Sequence, residues 1–225
     1  MKQPALIFIS LFFCCVVNAQ SDLIKKVFRL LPPGKIYDLS VAARDSMLNG
    51  KTYYPASNDS TEIVAYNYGI SNSVNNYLYV SLSFETSQRG SGMIEMRSFK
   101  MINGDNMILV SKTGGVWQVS YAQQEISVFI FNKKQELVPY KKKVLPAAGE
   151  TLFIKPGIPD AVKKEILNNA NITFDLSHHK LMRALNSDYI SNDETLSEWL
   201  TADRIYFDWI KDRFVYREML AMQTE

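Results

Sequence analysis

All ten glycines and all eight prolines of this 225-residue chain lie before Asp160, and residues 160–225 contain neither. Glycine supplies positive-φ backbone and proline supplies rigid turns, so the two ends of the chain must turn by different means. The change falls at "FIKPGIPD", Phe153–Asp160, which reads as a connector between two halves, residues 20–152 and 153–225. One continuous domain is the alternative, because about 206 residues bury roughly 70% of their unfolded surface around a single core.

The first half opens with "DLIKKVFRLL", Asp22–Leu31, whose apolar residues recur at helical spacing and which Pro32-Pro33-Gly34 stops. Asp38 or Ser40 then caps a second helix, Val41–Asn49, with Gly50 at the left-handed position past its end. Beyond it the pattern alternates. "STEIVAYNYG", "NNYLYVSLSFE", "GMIEMRSFKM", "MILVSKTGG" and "EISVFIFNKKQELVPY" are aromatic and β-branched runs. In the second, Leu78, Val80, Leu82 and Phe84 share one face. Asn103-Gly104-Asp105-Asn106 makes a tight turn, Gly114-Gly115 reads as another, and Gly90-Ser91-Gly92 reads as a flexible one.

The second half begins with a helix at Asp160–Asn169, followed by short strands "NITFDLS" and "KLMRALN" and a short helix at Asp193–Leu200. "RIYFDWIKDRFVYRE" fits a hairpin turning near Lys211-Asp212, although Trp199, Ile205 and Trp209 also suit a continuing helix. The fold class is therefore α+β, helices followed by antiparallel β-meanders, in two similar halves. Phe84-Glu85 and Met96-Arg97 echo Phe174-Asp175 and Met182-Arg183, which would suit an internal duplication. Phe84, Val128, Ile130 and Trp209 are expected in the core.

The only two cysteines, Cys14 and Cys15, sit in "FFCCVVNAQ", the end of an apolar run after Lys2. Val17-Asn18-Ala19 has the small residues that a signal peptidase reads, so Met1–Ala19 reads as a secretory signal peptide removed before Gln20. The run is shorter than the roughly 20 residues a permanent transmembrane helix needs. Phe13 beside Cys14 disfavours lipid attachment, for which small residues precede the cysteine. A mature chain without cysteine excludes disulfides, thiolate zinc and a cysteine nucleophile, and its lack of disulfides favours a bacterial periplasm or exterior.

Twenty-five basic against 23 acidic residues give a net charge of +2, and loss of Lys2 leaves +1, 24 against 23. Such a chain has no overall field for nucleic acid or anionic lipid. Lys133, Lys134, Lys141, Lys142 and Lys143 form a local basic run, which a solvated hairpin explains. His178 and His179 are the only histidines. As neighbours they point to opposite faces of a strand, so a metal would need Asp175, Asp188 or Glu194 as well, and a surface turn explains the pair equally. Gly90-Ser91-Gly92 lacks the spacing of a nucleophile elbow. The carboxylates Asp208 with Asp212, or Asp193 with Glu194, suit acid–base hydrolysis only if the fold brings them together. No catalytic, cofactor or metal residue is assigned from these patterns.

Tyrosine offers the best binding surface: Tyr66, Tyr68, Tyr77 and Tyr79, on neighbouring strands, suit one aromatic sheet face for a protein, peptide or glycan. With "KVFRLLPPGKIYDLSVAARDSML", "MRSFKMINGDNMILVSKT", "ISVFIFNKKQELVP" and "IYFDWIKDRF" in view, the chain resembles an uncharacterised family of secreted Bacteroidales proteins, catalogued as domain of unknown function 3256. The resemblance implies an α+β envelope protein and carries no catalytic residues. Asp45-Ser46-Met47 and Asp59-Ser60-Thr61 also look like the O-glycosylation tripeptides of that bacterial group. The expectation is a non-enzymatic binding protein of the envelope. The alternatives are a hydrolase using carboxylates or the His178–His179 turn, and an envelope scaffold or assembly component.

Overall fold

The computed structural model describes residues 23–51, 65–66, 76–84, 90–116, 124–146, 153–169, 171–177, 180–186, 190 and 193–220. The fold is α+β, with two antiparallel sheets. The chain divides into two compact units, residues 1–141 and 142–225, and Phe153–Asp160 lies inside the second. There Ile154 bridges Leu200, Lys155 N donates to Trp199 O (2.8 Å), and Phe153 is fully buried.

In the first unit, helix α1 runs through residues 23–30, a 3-10 turn through Pro33–Lys35, and helix α2 through Val41–Leu48. Ser40 is the cap of α2, its side chain accepting from Ala43 N (3.1 Å). Gly50 (φ 74°) ends the helix, where Gly50 N donates to Met47 O and Lys51 N to Ser46 O. Strands β1 (Ala65–Tyr66), β2 (Tyr77–Phe84), β3 (Gly90–Lys100), β4 (Asn106–Val116), β5 (Gln124–Phe131) and β6 (Leu137–Pro139) follow as one six-stranded meander in chain order. Leu78, Val80, Leu82, Ile94, Met96, Ile108, Val110, Phe129 and Phe131 pack against Ile24, Val27, Phe28 and Met47 of the helices.

Arg44 binds the two helices together. It is 3% exposed. Its Nε donates to Leu39 O (2.9 Å), and its Nη1 to the carbonyls of Arg29 (2.6 Å), Leu31 (2.9 Å) and Phe28 (3.3 Å). A helix C-terminus leaves carbonyls without internal donors, and Pro32 prevents α1 from continuing, so Arg44 supplies those donors from outside. Arg29 Nε also meets Asp45 Oδ1 at 2.5 Å.

Tyr37 fastens the connecting loop to the sheet. Tyr37 and Asp38 both have positive φ, 54° and 55°, a costly conformation for residues with side chains. The Tyr37 hydroxyl shares its proton between the carbonyls of Thr113 and Gly114, the latter at 3.0 Å. Its ring lies on Gly92, where a Cβ would stand 2.7 Å from Cζ, and Lys112 Nζ sits 5.4 Å from the ring centroid. Gly90-Ser91-Gly92 and Gly114-Gly115 are thus strand residues and not the turns expected from composition. The missing side chain of Gly92 leaves the space that the Tyr37 ring fills, while at Gly114 (φ 87°) a Cβ would stand 2.4 Å from Ser91 O. Glu125, between Lys35 and Lys112, closes the same corner.

The second unit contains α3 (Asp160–Asn169), β7 (Asn171–Asp175), β8 (Leu181–Asn186), α4 (Glu194–Ser197), β9 (Arg204–Ile210) and β10 (Arg213–Leu220). Its sheet order is β10-β9-β8-β7, all antiparallel. Lys163 N donates to Pro159 O, so Asp160 opens α3 as its first residue, one position inside the expected cap. Asp193 caps α4, accepting from Thr195 N and Leu196 N. Among the described residues no helix is long and apolar enough to cross a membrane.

Three expected core residues are only half-buried: Val128, Ile130 and Trp209. β5 turns Phe129 and Phe131 toward the helices, so the pleat places Val128 and Ile130 on the opposite face. The side chain of Phe84 lies outside the described residues.

Arg44→Met is expected to cost about 3–5 kcal/mol in denaturant unfolding, because several carbonyls lose a charged donor at once. Arg44→Lys should recover less than half, since an ammonium cannot span the same fork. Stability within about 1 kcal/mol of wild type would contradict this role.

The Tyr37 corner also predicts a pH dependence at both ends. Burial, with the charge of Glu125 adding, pushes the Tyr37 phenol up to about 12. Its contribution is therefore intact below the ordinary tyrosine value and is lost as pH rises from about 10 toward about 12. Glu125 is held below the usual glutamate value by hydrogen bonds from Lys35 and then Lys112. Its contribution is present above that usual value and is lost as pH falls through the lowered one. In unfolding curves against pH, Tyr37→Phe should flatten the alkaline limb and cost about 1–2 kcal/mol at neutral pH. Glu125→Gln should flatten the acid limb, and unchanged limbs would refute the assignment.

Candidate binding surface

The C-terminal hairpin turns at Lys211-Asp212, both with positive φ (49° and 61°), as expected from the sequence. Two consecutive left-handed residues match the right-handed twist of the flanking strands, although neither is a glycine. The register sets Trp209 opposite Phe214 and Phe207 opposite Tyr216, so four aromatic side chains form two rungs on one face. Trp209 and Phe214 have centroids 4.9 Å apart, tilted 57°, and Phe207 and Tyr216 meet edge to face at 6.4 Å and 80°. The face grades from core to solvent: Phe207 is 4% exposed, Trp209 and Phe214 are half-buried, and Tyr216 is 51% exposed. Ile210, on the other face at the tip, is 45% exposed.

Cations engage other residues of the same sheet. Arg183 lies over Phe174, 4.7 Å from the centroid, and Lys180 lies over Tyr206 at 5.8 Å while meeting Glu218 at 3.0 Å. Arg217 Nε is 3.6 Å from Asp208 Oδ2. Exposed pairs of this kind contribute little stability. Elsewhere in this unit a cleft of about 360 Å³ is lined by Ile154, Lys155, Pro156, Gly157, Ile158, Asp160 and Lys163. Lys155 Nζ already donates to Glu198 O (2.5 Å).

The tyrosine face expected on the first sheet is not a free surface. Tyr77 is buried, its hydroxyl donating to the buried Glu95 (2.7 Å) with Arg97 stacked 5.0 Å from its ring centroid. Tyr79 is half-buried; Tyr68 and the side chain of Tyr66 lie outside the described residues. The sheet that was to present rings to a ligand instead buries a polar cluster on that face. The sequence reading found the hairpin but missed its ladder, because it placed Trp209 in the core and weighed only the earlier tyrosines as a surface.

The candidates for chemistry are dispersed or already engaged. His178, His179 and Asp188 lie outside the described residues. Asp175 accepts from Ser177 N (2.7 Å) in a local turn. Asp193 is a helix cap, held below the usual aspartate value by the Thr195 hydroxyl and by the N–H groups of Leu196 and Thr195. Asp208 faces Arg217, while Asp212 occupies the hairpin turn. Ser91 is a strand residue between Ser83 and Gly115. Asp45-Ser46-Met47 lies within α2, where Met47 is buried, and Asp59-Ser60-Thr61 lies outside the described residues. Among the described residues no three His, Cys, Asp or Glu side chains are grouped to hold a metal.

Trp209→Ala is expected to cost about 1.5–3 kcal/mol, less than full burial would give, through loss of half-buried area and the Phe214 contact. Unfolding that matches wild type would mean that the ladder does not hold the hairpin.

Comparison with family models, curated proteins and solved structures finds no match for the chain.

Proposed function

We propose that the chain is an exported, non-catalytic binding protein of the bacterial cell envelope, engaging a protein, peptide or glycan through its β9–β10 hairpin. The observation that carries this reading is Tyr216. Half of its surface is exposed beside a packed aromatic ladder, with Ile210 exposed at the tip. Tyrosine gives a partner a rigid apolar face and a hydroxyl, at small entropic cost. The rings are tilted or edge-on to one another rather than coplanar, which suits a protein or peptide better than a sugar laid flat across two rings. The leader Met1–Ala19 and the resemblance to secreted Bacteroidales proteins support the location, and kinship with that family is part of the proposal.

The test is binding to fractionated envelope proteins, peptides and glycans, followed by tryptophan fluorescence of the protein and of its Trp209→Phe variant, whose difference reports Trp209 among the three tryptophans. Tyr216→Ser should weaken any captured ligand at least about tenfold, roughly 1.4 kcal/mol, while costing the fold no more than the lost edge contact with Phe207, about 0.5–1.5 kcal/mol. Equal binding by wild type and Tyr216→Ser would refute the surface. Turnover of a captured ligand, abolished by a substitution at His178 or Asp208, would replace binding with hydrolysis.

A further inference from the structure

Two hairpin turns lie side by side at one end of the six-stranded sheet. In the β3–β4 turn, Gly104 N donates to Met101 O and Met101 N to Asp105 O, both at 3.0 Å. In the β5–β6 turn, Gln135 N donates to Asn132 O (2.9 Å) and Asn132 N to Glu136 O (3.1 Å). Asp105 Oδ1 ties them by accepting from Lys133 N (3.1 Å). The Lys133 stem crosses Gly104, where a Cβ would stand 2.6 Å from Lys133 Cε. Ile102 projects from the first turn and, at 74%, is the most exposed large apolar side chain among the described residues.

Ammonium groups surround this end. Lys100 Nζ donates to Gly104 O (2.6 Å), Lys26 Nζ to the Gln135 side chain, and Lys133 and Lys134 are exposed. The carboxylates here, Asp105 and Glu136, each accept from a neighbouring asparagine amide, at 2.8 and 2.9 Å. Among the described residues at these two turns, four ammoniums stand against two carboxylates, an excess of two positive charges.

We propose that this tip docks on an anionic phospholipid bilayer, with Ile102 entering the headgroup–acyl boundary and Lys100, Lys133 and Lys134 lying against lipid phosphates. An aliphatic side chain set among cations gives a nucleic-acid base nothing to stack on. It needs no preformed pocket in a fluid acyl boundary, and long lysine stems keep their charges at headgroup level while the apolar residue enters. The charge supplies the attraction to an anionic surface, and one aliphatic side chain keeps the binding reversible. This docking is independent of the β9–β10 surface.

The test is co-sedimentation of the purified protein with vesicles of equal parts phosphatidylcholine and phosphatidylglycerol, against phosphatidylcholine alone. Variants share the same N-terminus, so differences between them report the tip. The protein should sediment with the anionic vesicles and be released as salt rises from about 0.1 to about 0.5 M. Ile102→Ser should lower partitioning about five- to tenfold. Lys133→Glu with Lys134→Glu should lower it at least about tenfold, and Lys134→Glu alone repeats the charge arm if the double variant misfolds. Equal sedimentation with neutral vesicles, or partitioning unchanged by Ile102→Ser, overturns the proposal.

Discussion

The guanidinium of Arg44 sits where α1 stops, and the first unit depends on that junction. Helix α1 presents Ile24, Val27 and Phe28 to the sheet, and α2 presents Met47. Neither face can stay in place unless the angle between the helices is fixed. A buried charge is costly when unpaired, but Arg44 meets carbonyls from Phe28, Arg29, Leu31 and Leu39, and burial lowers its pKa while the charge of Asp45 opposes that shift. The geometry explains why an arginine and not an apolar residue occupies this buried helix position. An apolar residue would fill the space and leave the end of α1 without donors.

Much of this architecture was legible in residue order. Apolar spacing marked both helices, Ser40 was one of two caps considered, and alternation placed Leu78, Val80 and Leu82 on the buried face. The Lys211-Asp212 turn was legible because the alternation reverses there. Two features were not. Glycine pairs ordinarily mark turns, yet Gly92 and Gly114 are opposite each other in the ladder, under a tyrosine more than fifty residues earlier in the chain. No local pattern encodes that approach. In β5, five of the six residues from Ile126 to Phe131 are apolar, so alternation could not tell which face meets the helices.

The binding surface was harder to read for the same reason. Tyrosine content drew attention to β2, but β2 lies inside the sheet between β1 and β3, and Tyr77 is buried there with Glu95 and Arg97. β9 and β10 carry one tyrosine each, and β10 has one open neighbour in the strand order, since it ends that order among the described residues. Position in the sheet, which composition does not contain, decides whether an aromatic side chain is core or surface. The two sheets nevertheless share a device: Arg97 lies over Tyr77 and Arg183 over Phe174, each arginine directly across the ladder from its ring.

The lack of glycine after Gly157 connects turn chemistry with the aromatic ladder. Left-handed backbone costs a residue with a side chain roughly 1–2 kcal/mol, and the Lys211-Asp212 turn carries that cost twice. Each aromatic rung contributes about 0.5–1.5 kcal/mol beyond its buried area. The first rung, Trp209 with Phe214, is next to the strained turn and holds it closed. The second needs only one edge contact from Tyr216 against buried Phe207. A phenylalanine would make that contact equally well and a smaller residue would leave no apolar surface in solvent. The half of Tyr216 that faces water is therefore not explained by closing the hairpin, and this unexplained part is the physical basis for reading it as a contact surface.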